Sequence, residues 1–214
     1  MSPPQQTWSV RKPVVRAGGG LVAAQHLQAA EVGAEILAAG GNAVDAAIAT
    51  SLALTVLEPW MSGLGGGGFM VVAKGDAAPE VIDFGMVAPA GLDVAAYPLV
   101  EGRDHDLFGW PAVLEDRNLL GPLSIAAPGQ AAGLALAHRD HGSIPWRDLC
   151  APAIELAARG VPVTWYTTLR IADAARALAR FDEARSVYLP DGLRPSPAPT
   201  ARRRTCRSAV WSLR

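Results

Sequence analysis

The fold is decided by residues 40–74, which read GGNAVDAAIATSLALTVLEPWMSGLGGGGFMVVAK. Asn42 can cap a helix by accepting a backbone N–H bond, and Asp45 places a negative charge in the first turn, where it suits the helix dipole. Residues 43–57 are apolar and mostly small on nearly every face, which predicts a helix buried on all sides. Pro59 is expected to end that helix.

The glycine-rich residues 62–68, which follow this helix, have the greatest backbone conformational freedom in the chain. Residues 69–74 and 80–84 read as two strands separated by a turn, which predicts a hairpin. On the other side, residues 23–39 carry apolar positions at spacings of three and four, which predicts a helix that Gly40 ends.

Downstream, residues 85–118 read as a loop with one short helix at 93–97, and residues 123–127 read as a short strand. Further helices are expected at residues 129–141, 146–159 and 164–180. The order of helices, then strands, then helices predicts an α+β fold with layered elements.

Composition narrows the function classes. The chain has 214 residues and a net charge of -1, which excludes a strongly basic nucleic-acid binder. A hydrophobic fraction of 50% excludes a disordered chain. The charge is uneven, however: residues 194–214 hold six Arg and no acidic residue, while residues 1–193 have a balance of -7. We therefore divide the chain into an irregular lead-in at 1–13, a folded region at 14–193 and a basic tail at 194–214.

The sequence predicts a cytoplasmic protein that does not cross a membrane. Residues 46–57 are uncharged for only 12 positions, whereas a spanning helix needs about 20. Residues 1–16 contain no apolar segment of the kind found in secretory signals. Cys150 and Cys206 are read as free thiols, since two cysteines cannot form a disulfide scaffold.

Several patterns in the sequence are candidates for a chemical role. The Gly63-x-Gly65-x-x-Gly68 spacing matches the dinucleotide fingerprint, but that fingerprint needs a strand before it and a helix after it. Here the order is reversed, so the run is either a tight turn with close backbone packing or a loop whose N–H groups border a substrate pocket. His138 and His141 lack a third metal ligand and are expected to be solvated near a helix end.

Two further candidates are interpreted as structural. The pair Thr167-Thr168 lies in a predicted helix surface and has no neighbouring base. His105 lies in a polar loop and is expected at the surface. The residues alone therefore predict an α+β domain with a glycine-rich loop and no complete catalytic or metal site.

A set of motifs in order along the chain resembles the gamma-glutamyltransferase family, which includes gamma-glutamyltranspeptidases, glutathione hydrolases and related acylases. The resemblance covers about residues 14–193. The matching stretches are GGNAVDAA at 40–47, LEPWMSGLGGGGF at 57–69, AP at 88–89, LSIAAPG at 123–129 and PAIELA at 152–157.

The resemblance implies an N-terminal nucleophile hydrolase with αββα layers, here incomplete. Family precursors cleave themselves, and the new N-terminal Thr of the small subunit attacks a gamma-glutamyl amide such as glutathione, with its own amine as base. No metal or organic cofactor is implied. The chain resembles only the first part of the large subunit, so it is expected to contain no catalytic residue and to need the small-subunit portion as its partner.

One stretch departs from the family. Gly85-Met86 stand where typical transpeptidases have Arg-Glu. In those relatives the resemblance implies that the Arg binds the alpha-carboxylate of the glutamyl group by a charge-assisted hydrogen bond. The parent protein is therefore either a gamma-glutamyl enzyme, in which Arg103 could substitute, or a divergent acylase with another acyl group. The predicted substrate-pocket residues are Asp83, Gly85, Met86, Gly65 and Gly66.

One alternative to an enzyme fragment is also open. The chain could be a non-enzymatic module that binds a partner through the glycine-rich loop. The tail from Arg194, where the family likeness is read as ending, is interpreted as the product of a frameshift, with a disordered basic tail as the alternative. A half-sheet without its partner strands is also expected to expose edges and an apolar face, which lowers solubility.

Overall fold

A computed structural model describes residues 14–104, 108–192 and 198–202. The α-helices are α1 (Leu27–Ala38), α2 (Ala43–Leu57), α3 (Gln130–His141), α4 (Trp146–Arg159), α5 (Trp165–Asp173), α6 (Ala175–Leu178) and α7 (Asp182–Tyr188). The strands are β1 (Gly68–Val72), β2 (Glu80–Phe84), β3 (Leu99–Arg103), β4 (Pro111–Val113), β5 (Pro162–Val163) and β6 (Ala198–Arg202). Short 3-10 turns occupy Val94–Ala96, Leu114–Asp116, Pro122–Ser124 and Pro190–Gly192.

Helix α2 begins and ends where the sequence predicts. Asn42 Oδ1 accepts the N–H groups of Val44 at 2.8 Å and Asp45 at 3.1 Å. The Asp45 carboxylate accepts the N–H of Asn42 at 2.9 Å in return, which completes a capping box. The cap therefore satisfies three backbone donors that helix geometry leaves without an internal partner.

The core forms around α2, which packs against α1 on one side and α4 on the other. Small side chains on α2 let the helices approach closely: a Cβ on Gly33 of α1 would collide with the Thr50 side chain of α2. The prediction of a helix buried on most faces is confirmed. The buried apolar side chains of the three helices are Ala29, Val32, Ile36, Val44, Ala46, Ile48, Ala49, Leu52, Ala53, Leu57, Leu149, Cys150, Ala153, Leu156 and Ala157.

Strands β1 and β2 form the predicted hairpin, with Val71 directly opposite Val81. One face, which includes Met70 and Ile82, packs on the helical core. The other face leaves Phe69, Val71 and Val81 exposed. The structure therefore has the uncovered apolar sheet face that the sequence predicts, while the reduced solubility expected from it stays a prediction.

The described residues contain three two-stranded antiparallel sheets, β1–β2, β3–β4 and β5–β6. The chain is thus helix-rich with small sheets, which agrees with the α+β prediction and is compatible with part of a layered fold. Strand β6 lies within the tail segment 194–214 and pairs with β5. The boundary at residue 193 and the frameshift stay predictions. The lead-in 1–13, His105 and Cys206 lie outside the described residues.

Two sequence predictions between the hairpin and α3 were wrong. The strand expected at 123–127 is replaced by the turn Pro122–Ser124 and a single bridge between Val87 and Ala127. Pro122 has no N–H and cannot extend a strand ladder. The loop expected at 85–118 contains the β3–β4 hairpin, which was missed because Gly102, at φ +113, interrupts the strand pattern.

Two helix boundaries also differ from prediction. Helix α1 begins at Leu27 because His26 Nδ1 accepts the N–H of Gln28 at 3.2 Å and so caps the helix. The helix expected at 164–180 is divided, since α5 ends before Ala174, whose ψ of 0° departs from helical geometry. Helix boundaries of this kind depend on local hydrogen bonds that apolar spacing does not encode.

Candidate active-site loop

The hairpin register places the glycine-rich loop beside the end of β2. Gly68 pairs with Phe84, so residues 62–67, which precede β1, and residues 85–86, which follow β2, meet at one end of the sheet. All five predicted pocket residues, Gly65, Gly66, Asp83, Gly85 and Met86, therefore lie at this end. The hairpin register brings these residues to one place, and their role in binding a substrate stays a prediction.

Part of the loop is packed tightly against neighbouring backbone. The carbonyl of Gly66 accepts the N–H groups of Gly129 and Gln130, both at 2.9 Å, at the start of α3. A Cβ on Gly67 would lie 2.5 Å from the Phe84 carbonyl oxygen and 2.9 Å from the Met86 nitrogen. These contacts confirm the tight-turn interpretation: the backbone packs closely at Gly66, and at Gly67 a side chain has no room.

The other part of the loop is open. The Cβ positions of Gly63 and Gly65 have no heavy atom within 4 Å, and Gly66 N closes the turn by donating to Gly63 O at 2.9 Å. Met86 is 57% exposed beside this loop. The glycine-rich loop is therefore packed against neighbouring backbone at Gly66 and Gly67 and has open space at Gly63 and Gly65.

Asp83 supplies the charge at this site. Its Oδ1 accepts the N–H of Gly85 at 2.9 Å, which fixes the chain as it leaves β2, while the side chain stays exposed. The atoms nearest the Cβ position of Gly85 belong to Asp83 and Phe69. The guanidinium of Arg103 donates instead to Gly109 O at 2.6 Å, within its own hairpin. Within the described parts of the chain, Arg103 has no recorded hydrogen bond or ion pair to the five pocket residues, so its role as a substitute cation has no support there.

Asp45 has a structural role that the sequence captured only in part. It is 0% exposed and accepts bonds from Ser143 N at 3.0 Å, Ser143 Oγ at 2.5 Å and Ile144 N at 3.4 Å, in addition to Asn42 N. Burial acts to raise the pKa of Asp45, but the hydrogen bonds from Ser143, Asn42 and Ile144 outweigh it and the pKa is lowered. The carboxylate thus ties α2 to the α3–α4 connection.

The expectation that His138 and His141 are solvated was wrong. His138 Nε2 lies 2.7 Å from the carbonyl of Ile144. The His141 side chain is 10% exposed; its Nδ1 accepts from Lys74 Nζ at 3.0 Å and its Nε2 lies 3.1 Å from Glu80 Oε2. Both rings join helix α3 to its neighbours. Among residues 14–104, 108–192 and 198–202, no group of three metal-ligating side chains is found.

The threonine pair is helical, as predicted. Thr164 Oγ1 caps α5 by accepting the N–H of Thr167 at 3.1 Å, and the hydroxyls of Thr164 and Thr167 lie 3.0 Å apart. Thr167 is buried rather than on the helix surface. Cys150 is a buried free thiol, and burial raises its pKa. Neither arrangement activates a nucleophile, which requires a nearby base or a lowered pKa.

The glycine spacing is not a dinucleotide site, since α2 precedes the loop and β1 follows it. A dinucleotide loop needs a helix N-terminus directly after the glycines to receive phosphate. The helix end that contacts this loop, the start of α3, has two of its N–H groups bonded to Gly66. The geometry therefore agrees with the sequence reasoning against nucleotide binding.

The comparisons agree with the motif order. The family model for gamma-glutamyltranspeptidase matches residues 29–206. The chain belongs to the gamma-glutamyltranspeptidase family. It is 35% identical to the glutathione hydrolase proenzyme of Bacillus subtilis over 190 residues, covering 88% of this chain and 31% of that protein. It is 38% identical to the acylase ACY 1 proenzyme of Pseudomonas sp. strain SE83, covering 81% of this chain and 30% of that protein.

Solved structures of this gamma-glutamyltranspeptidase family share the fold. The gamma-glutamyltranspeptidase from Pseudomonas nitroreducens complexed with L-DON superposes with a TM-score of 0.70 at 33% identity, covering 86% of this chain and 51% of that one. The chain thus spans about a third of the length of its curated relatives. No helix in the described part of the chain is long and apolar enough to span a bilayer.

Proposed function

We propose that this chain provides part of the large subunit of an enzyme that transfers or hydrolyses gamma-glutamyl amides such as glutathione. The observation that carries the proposal is the loop geometry. Gly66 is anchored to the start of α3, which leaves Gly63 and Gly65 open beside Asp83 and Met86. The open backbone at Gly63 and Gly65, next to the Asp83 carboxylate, suits the binding of a small polar amide.

The family chemistry assigns the bond-making step to a partner segment. The hydroxyl of the N-terminal Thr of a small subunit attacks the amide carbonyl while its amine takes the proton, and the amine product leaves with that proton. The resulting ester is then resolved by water or by an amine acceptor. The residues of this chain would bind and orient the acyl group rather than react with it.

A divergent acylase is the second candidate, and Gly85-Met86 favours it. Where the family places an Arg for the glutamyl carboxylate, this chain has a glycine followed by an exposed methionine. The exposed Asp83 carboxylate would also repel a substrate carboxylate. An acyl group without that negative charge fits these residues better, and ACY 1, an acylase by name, is among the relatives.

We expect the purified chain alone to give no turnover of a gamma-glutamyl anilide. The reason is that the nucleophile and its base belong to the proposed partner segment. Release of the coloured aniline is the measurement, with Bacillus subtilis glutathione hydrolase as the positive control. Turnover by this chain at a rate above that of a heat-denatured sample would contradict the proposal.

The truncation and the location are part of the same proposal. We infer a cytoplasmic protein whose reading frame shifts in the basic segment that begins near codon 194; the family match that continues to residue 206 is the observation against a shift at the first codon of that segment. Reading the DNA around that codon in all three frames tests this directly. Family sequence that resumes in another frame and reaches a Thr would support it, whereas no such sequence would favour a module that binds a partner without catalysis.

A further inference from the structure

Three polar side chains of complementary chemistry meet at the turn end of the β1–β2 hairpin. Lys74 lies just after β1, Glu80 begins β2 and His141 ends α3. Lys74 Nζ donates to His141 Nδ1 at 3.0 Å, and His141 Nε2 lies 3.1 Å from Glu80 Oε2. These three residues are called the lysine triad below. A nucleophile in contact with a base, which in turn faces a carboxylate, is the arrangement that activates nucleophiles in covalent catalysis.

The contact with Lys74 decides which nitrogen of His141 carries the hydrogen. Because the lysine nitrogen donates, Nδ1 is the acceptor and Nε2 carries the hydrogen of the neutral ring. Nε2 is buried and has no aligned hydrogen-bond partner in the described chain, so its interaction with Glu80 is an electrostatic contact. A carboxylate at this distance stabilises the imidazolium that forms when Nδ1 takes a proton.

The base of the lysine triad is held in place, whereas its nucleophile is open to solvent. The His141 side chain is only 10% exposed, and the carbonyl of His141 accepts from Asn42 Nδ2 at 2.7 Å, which ties it to the cap of α2. Lys74 is exposed between the two strands. A reagent in solution can therefore reach the amine, while the ring that would accept its proton stays fixed.

The lysine triad lies at the opposite end of the hairpin from the candidate pocket. Val72 pairs with Glu80 at the turn end, and Gly68 pairs with Phe84 at the other end. A five-residue strand separates its end residues by about 13 Å. Chemistry at Lys74 would therefore be separate from the pocket and does not rest on the proposed function.

We propose that Lys74 is a site of acylation by small acyl thioesters, with His141 as its general base and Glu80 as the residue that positions and stabilises the charged base. The lone pair of the neutral amine attacks the thioester carbonyl carbon and forms the C–N bond. The nitrogen passes a proton to His141 Nδ1, the C–S bond breaks, and the thiolate leaves with the proton from His141. The products are an amide on Lys74 and a free thiol, so no further reactant is consumed.

The sequence allows a direct assay because it contains only two lysines, Lys12 and Lys74. The 214-residue chain is incubated with the S-acetyl thioester of N-acetylcysteamine, and acetylation of each lysine is followed by mass spectrometry. Chymotrypsin cleaves after Phe69 and Phe84, which releases residues 70–84 with Lys74 as their only lysine. We expect Lys74 to react about tenfold faster than Lys12, less than the ~10²–10⁴-fold that a general base supplies in an enzyme, because the thioester arrives by collision.

Three variants separate base assistance from a simple effect of charge. His141→Gln removes the base, so the rate at Lys74 should fall about tenfold, to that of Lys12. Glu80→Gln should lower the rate about threefold, because the imidazolium loses its charge partner. Asp76→Asn is the matched control, since Asp76 is an exposed acid two positions from Lys74. It should change the rate by less than about twofold, because exposed charges are screened by salt.

Circular dichroism of each variant checks that folding is retained. Because Glu80 is 54% exposed, Glu80→Gln tests the lysine triad even if His141→Gln loses the fold. Equal acetylation of Lys12 and Lys74, or a rate at Lys74 that His141→Gln leaves unchanged in the folded protein, would overturn the inference. A faster reaction of Glu80→Gln would overturn it as well, since the carboxylate would then be holding Lys74 as an unreactive ammonium in a structural chain of charges.

Discussion

Replacing Asp45 by alanine is expected to lower the free energy of unfolding by about 3–5 kcal/mol, which is exceptionally large for a single substitution. The carboxylate is completely buried and accepts bonds from Asn42, Ser143 and Ile144. Alanine removes the charged acceptor that these donors share, and a hydrogen bond to a charged group contributes about 1.5–3 kcal/mol. Urea unfolding followed by circular dichroism measures the change.

Asp93→Ala is the matched control for this experiment. Asp93 Oδ1 also accepts a backbone N–H, that of Ala95 at 2.9 Å, but the side chain is exposed. Water can replace the lost acceptor there, so the loss should stay below about 1 kcal/mol. Equal losses for the two variants would show that burial of Asp45 does not matter.

The same carboxylate gives stability a defined pH dependence. Its pKa is lowered in the folded state from an ordinary value of 3.8, so the folded state favours the charged form. The stabilisation is therefore fully present above about pH 4 and is lost as the pH falls through the lower folded pKa. Asp45→Asn should flatten that acid limb of the stability curve, and an unchanged acid limb would contradict the assignment.

Local pattern was enough to predict the centre of this fold. Asn42 caps α2 as predicted, with Asp45 in the first turn, and the strands predicted at 69–74 and 80–84 form the hairpin. These elements are defined by neighbours a few residues apart, so their signals are contained in short windows of sequence. The hairpin also brings the candidate pocket residues to one end of the sheet, because its register sets the residues before β1 beside those after β2.

The parts that sequence reasoning missed depend on contacts between distant residues. Ser143 is 98 positions from Asp45, and His141 is 67 positions from Lys74. Neither residue carries a local signal for its distant partner, since Ser and His near a helix end are usually solvated. The contact between the rings of Trp60 and Tyr166 could not be predicted for the same reason, because it forms only when α5 packs beside the turn that follows α2.

Gly133→Ala is expected to reverse the usual effect of this substitution in a helix. Alanine normally stabilises a helix interior by about 1 kcal/mol relative to glycine. In α3, however, a Cβ at position 133 would overlap the Phe84 side chain of β2, in a buried contact. Overpacking of this kind costs about 1–3 kcal/mol, so the variant should be less stable than the parent.

Phe84→Gly provides the background that isolates this contact. With the ring and its Cβ removed, Gly133→Ala should no longer destabilise and should regain the helix preference of alanine. Gly91→Ala is the control, because its Cβ position has no neighbour within 4 Å; its effect should stay within about 0.5 kcal/mol. If Gly133→Ala lowers the free energy of unfolding equally in the parent chain and in the Phe84→Gly variant, contact with Phe84 is excluded as the cause.

Gly129→Ala should behave differently from Gly133→Ala although both contact Phe84. The Cβ at position 129 would overlap the backbone carbonyl of Phe84, which no side-chain substitution removes. Phe84→Gly should therefore remove the destabilising effect of Gly133→Ala but not that of Gly129→Ala. Because Gly129 N also donates to Gly66 O, the shift forced by this variant would reach the glycine loop. In the proposed enzyme we expect Gly129→Ala to lower substrate affinity, whereas Gly133→Ala combined with Phe84→Gly leaves that hydrogen bond in place.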